Sequence, residues 1–347
     1  MKMLKWRFDI EVFFGRGACA AQYCGLIPLF FFLPLMAQNQ AQLYAGLVKS
    51  NGYVAGVELA ASGLHRYDGD QTWTHLGWNH PRVNAIACDP TNPQIIFLAC
   101  GDGAARTNDG GKSWRAITDW RITEAQDICV DPNAPQQVYL ATAYGVWRSQ
   151  DHGETWTESN VGLIKKFTHT IAVDRAPPRR ILAGTEGGLY LATESVASWS
   201  LIGPEEVAVL DLEQSFCSPS IWLAATQDRG VLLSHDNGKT WQSSKGKIAR
   251  AEIYAVASDP FNAQHLAAAS WGEGMLVSED EGQSWQLRVT GLPTRNLYET
   301  VFDANRAGRL WAATFEEGIF YSDDLGRTWH GAGMSGAIVF DMVFIER

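Results

Sequence analysis

Ser278-Glu-Asp-Glu-Gly-Gln-Ser-Trp285 is written as a tight hairpin that ends in an aromatic anchor. The aspartate can accept backbone N–H groups within the turn, and the glycine two residues on takes a positive φ without steric cost. Serine before the tryptophan bonds locally, and the indole is left to pack between sheets. The same word returns as TNDGGKSW (107–114), SQDHGETW (149–156), SHDNGKTW (234–241) and SDDLGRTW (322–329). Two copies are worn: RYDGDQTW (66–73) has Asp70 at the glycine position, and ATESVASW (192–199) keeps little beyond Ser198 and Trp199. The closing tryptophans, Trp73, Trp114, Trp156, Trp199, Trp241, Trp285 and Trp329, stand 41, 42, 43, 42, 44 and 44 residues apart. A period of about 40–45 residues is the length of one four-stranded propeller blade.

Two more words recur inside each period. Gly103, Gly145, Gly188, Gly230, Gly274 and Gly318 each precede the aspartate position by six residues and mark a turn between strands. CDPTNP (88–93), VDPNAP (130–135), VDRAPP (173–178) and SDPFNA (258–263) end one strand and turn into the next, as Asp-Pro does at a type I turn. One blade then reads as strand A (83–88), strand B (95–100), strand C (104–108) and strand D (113–117), and many B strands are nearly all apolar, as expected of strands covered on both faces. Before Trp73 there is no A strand, yet the chain ends in VFDMVFI (339–345), an A strand with no blade after it. That strand is expected to complete blade 1 and remove the free sheet edges. The fold class is therefore all-β: a seven-bladed propeller of four-stranded antiparallel blades over residues 42–347, closed by its C-terminal strand. Leu43–Gly46 and Val54–Leu59 both read as strand B of blade 1.

Residues 1–41 differ from the rest. Lys2, Lys5, Arg7 and Arg16 lead the apolar run LIPLFFFLPLM (26–36), followed by small and amide residues. This reads as a signal peptide or, since 17–37 holds little that is polar, as a membrane anchor. Either implies export, to a periplasm, the extracellular space or a thylakoid lumen. Without the first 37 residues the chain carries 24 basic and 36 acidic groups, a net charge of −12. Nucleic acid is not an expected partner, because phosphate neutralisation needs clustered Lys and Arg. Cys19 and Cys24 lie in the leader; Cys88, Cys100, Cys129 and Cys217 share no metal-like spacing and read as buried free thiols. The eight histidines show no paired ligand spacing either, so no metal and no cofactor is expected. GGKS (110–113) is no phosphate loop, since the earlier glycine it would need is Arg106.

The repeated aspartates Asp68, Asp109, Asp151, Asp236, Asp280 and Asp324 are explained by turn geometry, and their blade-length spacing offers no converging carboxylate pair. No catalytic residue is expected among them. The opposite face is more informative, because antiparallel strands put the B–C and D–A loops on one rim. The B–C loops supply Tyr144, Trp271, Glu273 and Phe315, and acids outnumber bases there. The D–A loops supply Trp78, Arg82, Trp120, Arg121, Arg250 and Arg295, where bases predominate. Tryptophan, tyrosine and arginine are the residues most enriched at interaction hot spots. These ten are the candidate binding residues.

Taken together the words resemble the BNR/Asp-box propeller superfamily over roughly residues 43–347. Sialidases of that group carry an Arg-Ile-Pro word that does not occur here. The xyloglucan-cleaving glycosidases use tandem propellers, and sortilin-type receptors use ten blades. The arrangement is most similar to the photosystem II stability/assembly-factor family: a leader and one seven-bladed propeller. That resemblance implies a monomeric, non-enzymatic scaffold that binds a protein, such as a subunit of a maturing membrane complex. The alternative is a glycoside hydrolase or carbohydrate-binding propeller, with Asp102, Glu273 or Glu317 doing acid–base work.

Overall fold

The computed structural model describes residues 40–50, 61–80, 82–193 and 195–346. Residues 1–39, with most of the expected leader and Cys19 and Cys24, lie outside the described residues, as does Val54–Leu59.

Seven four-stranded antiparallel sheets form a propeller, and in each the strands follow the order A–B–C–D outward from the axis. Blade 2 is typical: A is Val83–Asp89, B Asn92–Cys100, C Gly103–Thr107 and D only Arg115–Ala116. The inner strands of blades 3 to 7 are Ala125–Val130, Thr168–Val173, Val209–Gln214, Glu252–Asp259 and Leu297–Phe302. Blade 1 takes its inner strand from the other end of the chain. Ala337–Ile345 pairs antiparallel with Gln42–Lys49, from Gln42 opposite Ile345 to Lys49 opposite Ala337. Strand B of blade 1 is thus the Leu43–Gly46 segment, extended at both ends.

Burial follows from that layering. Strands B such as Val138–Thr142, Trp222–Thr226 and Leu310–Thr314 are buried at every position, because each is covered by a neighbouring blade on both faces. The apolar side chains sort into seven clusters, one between each neighbouring pair of blades. The seam between blades 7 and 1 is as apolar as the others: Leu43, Ala45, Leu47, Trp311, Ala313, Val339 and Met342 fill it.

The octapeptide folds as its residues dictate, with one partner the sequence reading passed over. The first-position hydroxyl organises the turn. Ser278 Oγ donates to Asp280 at 2.8 Å and accepts the Gly282 N–H at 2.8 Å. Asp280 then accepts the Ser284 N–H at 2.8 Å and the Ser284 hydroxyl at 2.5 Å. Blades 2, 3, 5 and 7 repeat this set around Asp109, Asp151, Asp236 and Asp324. The fifth-position glycine is required twice over at Gly153: φ is +84°, and a Cβ there would lie 2.7 Å from Ile117 Cδ1. In the worn copy of blade 1, Asp68 instead accepts from Arg66 Nε and the Thr74 hydroxyl, and Asp70 and Gln71 form the turn with φ of 47° and 63°.

Cys88, Cys100, Cys129 and Cys217 are free, but of the expected buried thiols only Cys100 is fully buried, Cys88 and Cys129 being half-buried. Cys217 is exposed, because it lies in the A–B loop of blade 5 and not on an inner strand, where its thiol donates to Pro260 O at 3.0 Å.

Deleting residues 337–347 removes the innermost strand of blade 1 and strips the ladder from Gln42–Lys49. The deleted chain should lose the cooperative thermal transition of the parent and scatter light at ambient temperature. A parent-like melt by circular dichroism would contradict the closure assigned here.

Candidate functional site

The described B–C and D–A loops share one face, and backbone hydrogen bonds lace them together. Gly101 N–H donates to Arg82 O, Glu124 N–H to Gly101 O, and Ala143 N–H to Glu124 O. The lacing resumes through Glu186–Phe167, Gln227–Ala208, Phe315–Asn296 and Gly336–Glu316, and reaches Ser50–Gly336 at the closing seam. The loop rim is consequently one hydrogen-bonded surface around the channel mouth.

Each inner strand carries one extra residue relative to its B partner. The register slips at Asn84, Gln126, His169, Leu210, Tyr254, Tyr298 and Phe340. An inner strand is paired on one side only, so a bulge there interrupts a single ladder, and it redirects the extra side chain. All seven of these side chains line one cavity of about 350 Å³ at the channel mouth.

The next residue on each inner strand builds a second layer. From blade 1 to blade 7 it is Asp341, Ala85, Asp127, Thr170, Asp211, Ala255 and Glu299. Carboxylates thus alternate with small residues, and the spacing has a cause. Asp341 accepts the Ile86 N–H at 2.6 Å, Asp127 the Ile171 N–H at 2.7 Å and Asp211 the Val256 N–H at 2.9 Å. Each carboxylate binds an amide on the free edge of the next blade's inner strand, just past the small residue. Seven is odd, so the alternation fails once, where Glu299 of blade 7 neighbours Asp341 of blade 1. Glu213 repeats the device one layer deeper, accepting the Ser258 N–H at 2.7 Å.

Withdrawal from bulk water in the narrow channel raises all of these acids, and their mutual repulsion adds to it. Asp211 is pushed up to about 6, and Glu213 and Asp341 to about 7. Glu299 is raised too, first by burial and then by Asp211 and Asp341. Asp127 is raised by burial, against the three hydrogen bonds that it accepts.

Above the carboxylates, four rings meet. Tyr254 and Tyr298 come from bulges, and Trp271 and Phe315 from the starts of B–C loops. Ring centroids lie 4.9 Å apart for Tyr254–Tyr298, 5.6 Å for Trp271–Tyr298 and 5.4 Å for Trp271–Phe315. Glu273, Glu316 and Glu317 stand in the same B–C loops and Glu252 begins the strand of Tyr254, while Arg295 lies beside the Trp271 loop, its carbonyl accepting the Gly272 N–H at 3.1 Å. On the far side of the mouth a second apolar group is almost wholly exposed: Trp120 at 86%, Ile164 at 74%, Val161 at 69% and Tyr144 at 60%. The Glu124–Ala143 hydrogen bond joins the loop of Trp120 to that of Tyr144.

The ten candidate residues all fall on this face, but in different company. Trp271 and Phe315 join the ring cluster. Trp120 and Tyr144 join the exposed arc, where Val161 and Ile164 had gone unnoticed. Trp78 is half committed to packing, edge-on against Trp114 and His80 at 5.7 Å. Arg121 is held by Asp119 of its own loop through Nε and Nη2, and Arg82 approaches Glu124 at 3.7 Å. The bases of the D–A loops thus meet acids of the same loop set. Arg250 and Arg295 are exposed, as is Glu273.

One juxtaposition was invisible in spacing. His80, Cys100 and Asp102 bring potential ligand atoms within 4.8 Å of one another. His80 Nδ1 accepts the Arg82 N–H at 3.1 Å, so its proton sits on Nε2 and is given to Asp102 at 2.9 Å. In that tautomer the ring turns no lone pair toward the trio, and burial pushes the Cys100 thiol up to about 12. These bonds fasten the blade 1–2 loop to the blade 2 rim.

With that geometry in place, comparison with known proteins is informative chiefly about architecture. The family model described as sortilin, neurotensin receptor 3, matches residues 229–336, part of blade 5 with blades 6 and 7. No curated protein matches. Among solved structures, the GH74 enzyme of Niastella koreensis is similar at 18% identity and TM-score 0.68, over 86% of this chain and 55% of its own. The GH74 xyloglucanase of Xanthomonas campestris gives 17%, 0.66, and the same 86% and 55%. The chain therefore spans about half the length of these enzymes. YCF48 bound to D1 peptide gives 17% identity and TM-score 0.54, over 80% of this chain and 91% of its own. Likeness at this identity establishes the propeller fold.

The raised carboxyls make a pH prediction. Unfolded, they ionise near pH 4, so between about pH 4 and 7 the folded state holds more protons and stability falls as pH rises. His65, lowered to about 4 by burial, works the other way below about pH 6.5, because unfolding lets it charge. Asp341→Asn keeps an oxygen for the Ile86 amide while removing the charge. It should raise the melting temperature clearly at about pH 8, by less as pH falls from about 7 toward 4, and leave it nearly unchanged at about pH 3, below both pKa values. An equal shift at the two extremes would contradict the assignment.

Proposed function

We propose that this chain is an exported, non-catalytic propeller that captures a protein through its B–C/D–A loop face, a scaffold or assembly factor of the BNR/Asp-box type. The observation that carries the reading is the exposed arc Trp120, Tyr144, Val161 and Ile164. Large apolar side chains held out to water on a hydrogen-bonded rim are what a protein interface needs, and a lone soluble domain gains nothing from them. The channel carboxylates are consumed by backbone amides, which accounts for them without catalysis. YCF48, a propeller of similar length, is known bound to the D1 peptide; that supports a peptide or protein ligand by analogy of fold. Export rests on the apolar leader read from the sequence.

A second reading keeps a specific observation of its own. The Tyr254, Trp271, Tyr298 and Phe315 rings could stack on sugar, and the GH74 enzymes share the fold. A hydrolase would also need a pair of carboxyl groups about 5–10 Å apart. Of the rim acids, Asp102 is bonded to His80, while Glu273 and Glu317 stand on different blades.

Affinity capture of the tagged protein in its host's envelope extract tests the choice. The parent should recover a discrete partner, and Trp120→Ala/Tyr144→Ala should lose it while melting like the parent. Equal recovery by both proteins would contradict the proposed face. Release of oligosaccharide from xyloglucan by the parent would establish the enzymatic reading instead.

A further inference from the structure

We infer that the ring cluster over blades 6 and 7 is a subsite for an arginine- or lysine-bearing extended segment of the partner protein. The inference rests on the reading that this face binds protein, and adds the chemistry of what it binds.

Tyr254, Trp271, Tyr298 and Phe315 are each only half-buried, although each touches at least two of the others. Bulges thrust the two tyrosines into the mouth, where a hydrophobic core gains nothing from them. Ring faces carry negative charge density, so a guanidinium or ammonium laid over them is attracted, most strongly over tryptophan.

Charge complementarity selects the same occupant. The segments that present the rings bear Glu252, Glu273, Glu316 and Glu317 against two bases, Arg250 and Arg295. Glu273 and Glu317 are exposed, and no ion pair fixes either among the described residues. Beneath the rings the cavity continues past Asp127, Asp211, Glu299 and Asp341, and Arg82 is the one arginine among its described lining residues. An acidic segment would meet the rim glutamates as like charge, and an uncharged apolar one would strip water from them without replacing it. A cationic side chain entering between the rings satisfies both. The arc at Trp120 and Tyr144 would meanwhile hold apolar residues of the same partner, so the two subsites fail independently.

Surface plasmon resonance on the immobilised protein tests this with three capped hexapeptides that alternate glycine with arginine, serine or glutamate. The arginine peptide should bind, weaken as salt screens the glutamates, and lose affinity about tenfold in Glu273→Gln/Glu317→Gln, roughly threefold for each carboxylate removed. Both positions are exposed, so that variant should fold like the parent. Trp271→Ala should abolish binding, and Glu273→Lys/Glu317→Lys should transfer preference to the glutamate peptide. Equal binding of the serine and arginine peptides, parent affinity in the double glutamine variant, or no binding of any peptide would each overturn the subsite. Loss of envelope capture in Trp120→Ala/Tyr144→Ala alongside any of those three results would leave the protein-binding reading intact and remove only this one.

Discussion

The structure depends on one constraint: the inner strand of every blade has a ladder on one side only. Its other edge faces a channel too narrow for bulk water to solvate freely, and unpaired amides there are costly. The acids at alternate positions answer that need. Asp341, Asp127 and Asp211 each reach across to an amide of the next blade, at Ile86, Ile171 and Val256. The same bonds tie blades 1 to 2, 3 to 4 and 5 to 6 around the axis. Because the ring has an odd number of blades, two acids adjoin at the seam where Ala337–Ile345 closes the sheet.

Bulges and carboxylates are two halves of one arrangement. The extra residue turns a side chain up into the mouth, and the residue after it faces the neighbouring blade. Blades 6 and 7 use the upward position for Tyr254 and Tyr298, and blades 2 and 3 use it for Asn84 and Gln126. The mouth is aromatic on one side and amide-lined on the other, so a ring of equivalent blades becomes a surface with direction. Beyond the amide side lie the exposed Trp120, Tyr144, Val161 and Ile164. A partner laid across the mouth meets apolar contact at one end and aromatic, acidic contact at the other.

The blades were legible in the sequence because a turn that needs particular residues writes them down. Asp280, Gly282 and Trp285 recur at blade length since each hairpin needs an acceptor, a positive φ and an anchor. The Asp-Pro turns were legible for the same reason, with Asp89 and Asp259 binding the amides of Thr91 and Phe261. The candidate site was only half legible. Loop membership put Trp271, Phe315, Trp120 and Tyr144 on one face, as the structure has them. It could not foresee that the strand residues Tyr254 and Tyr298 turn into the mouth, since a one-residue bulge leaves no mark in a short apolar run. Nor could it foresee the channel acids, whose partners are backbone amides some 40 residues away. Aligning the inner strands on their pre-bulge apolar residue would have revealed Asp127, Asp211, Glu299 and Asp341 in one register. His80, Cys100 and Asp102 meet only through blade-to-blade packing, which no spacing rule encodes.

That the loop face is the working surface can be read directly by hydroxyl-radical footprinting of the protein in its host's envelope extract, with the purified protein as reference. Trp120, Tyr144 and Trp271 should be protected in the extract, while Phe216 and Phe261, exposed in the A–B loops of the other face, should oxidise as they do in isolation. Protection of Phe216 and Phe261 with Trp120 and Trp271 unchanged would place the partner on the wrong side of the propeller and contradict the account.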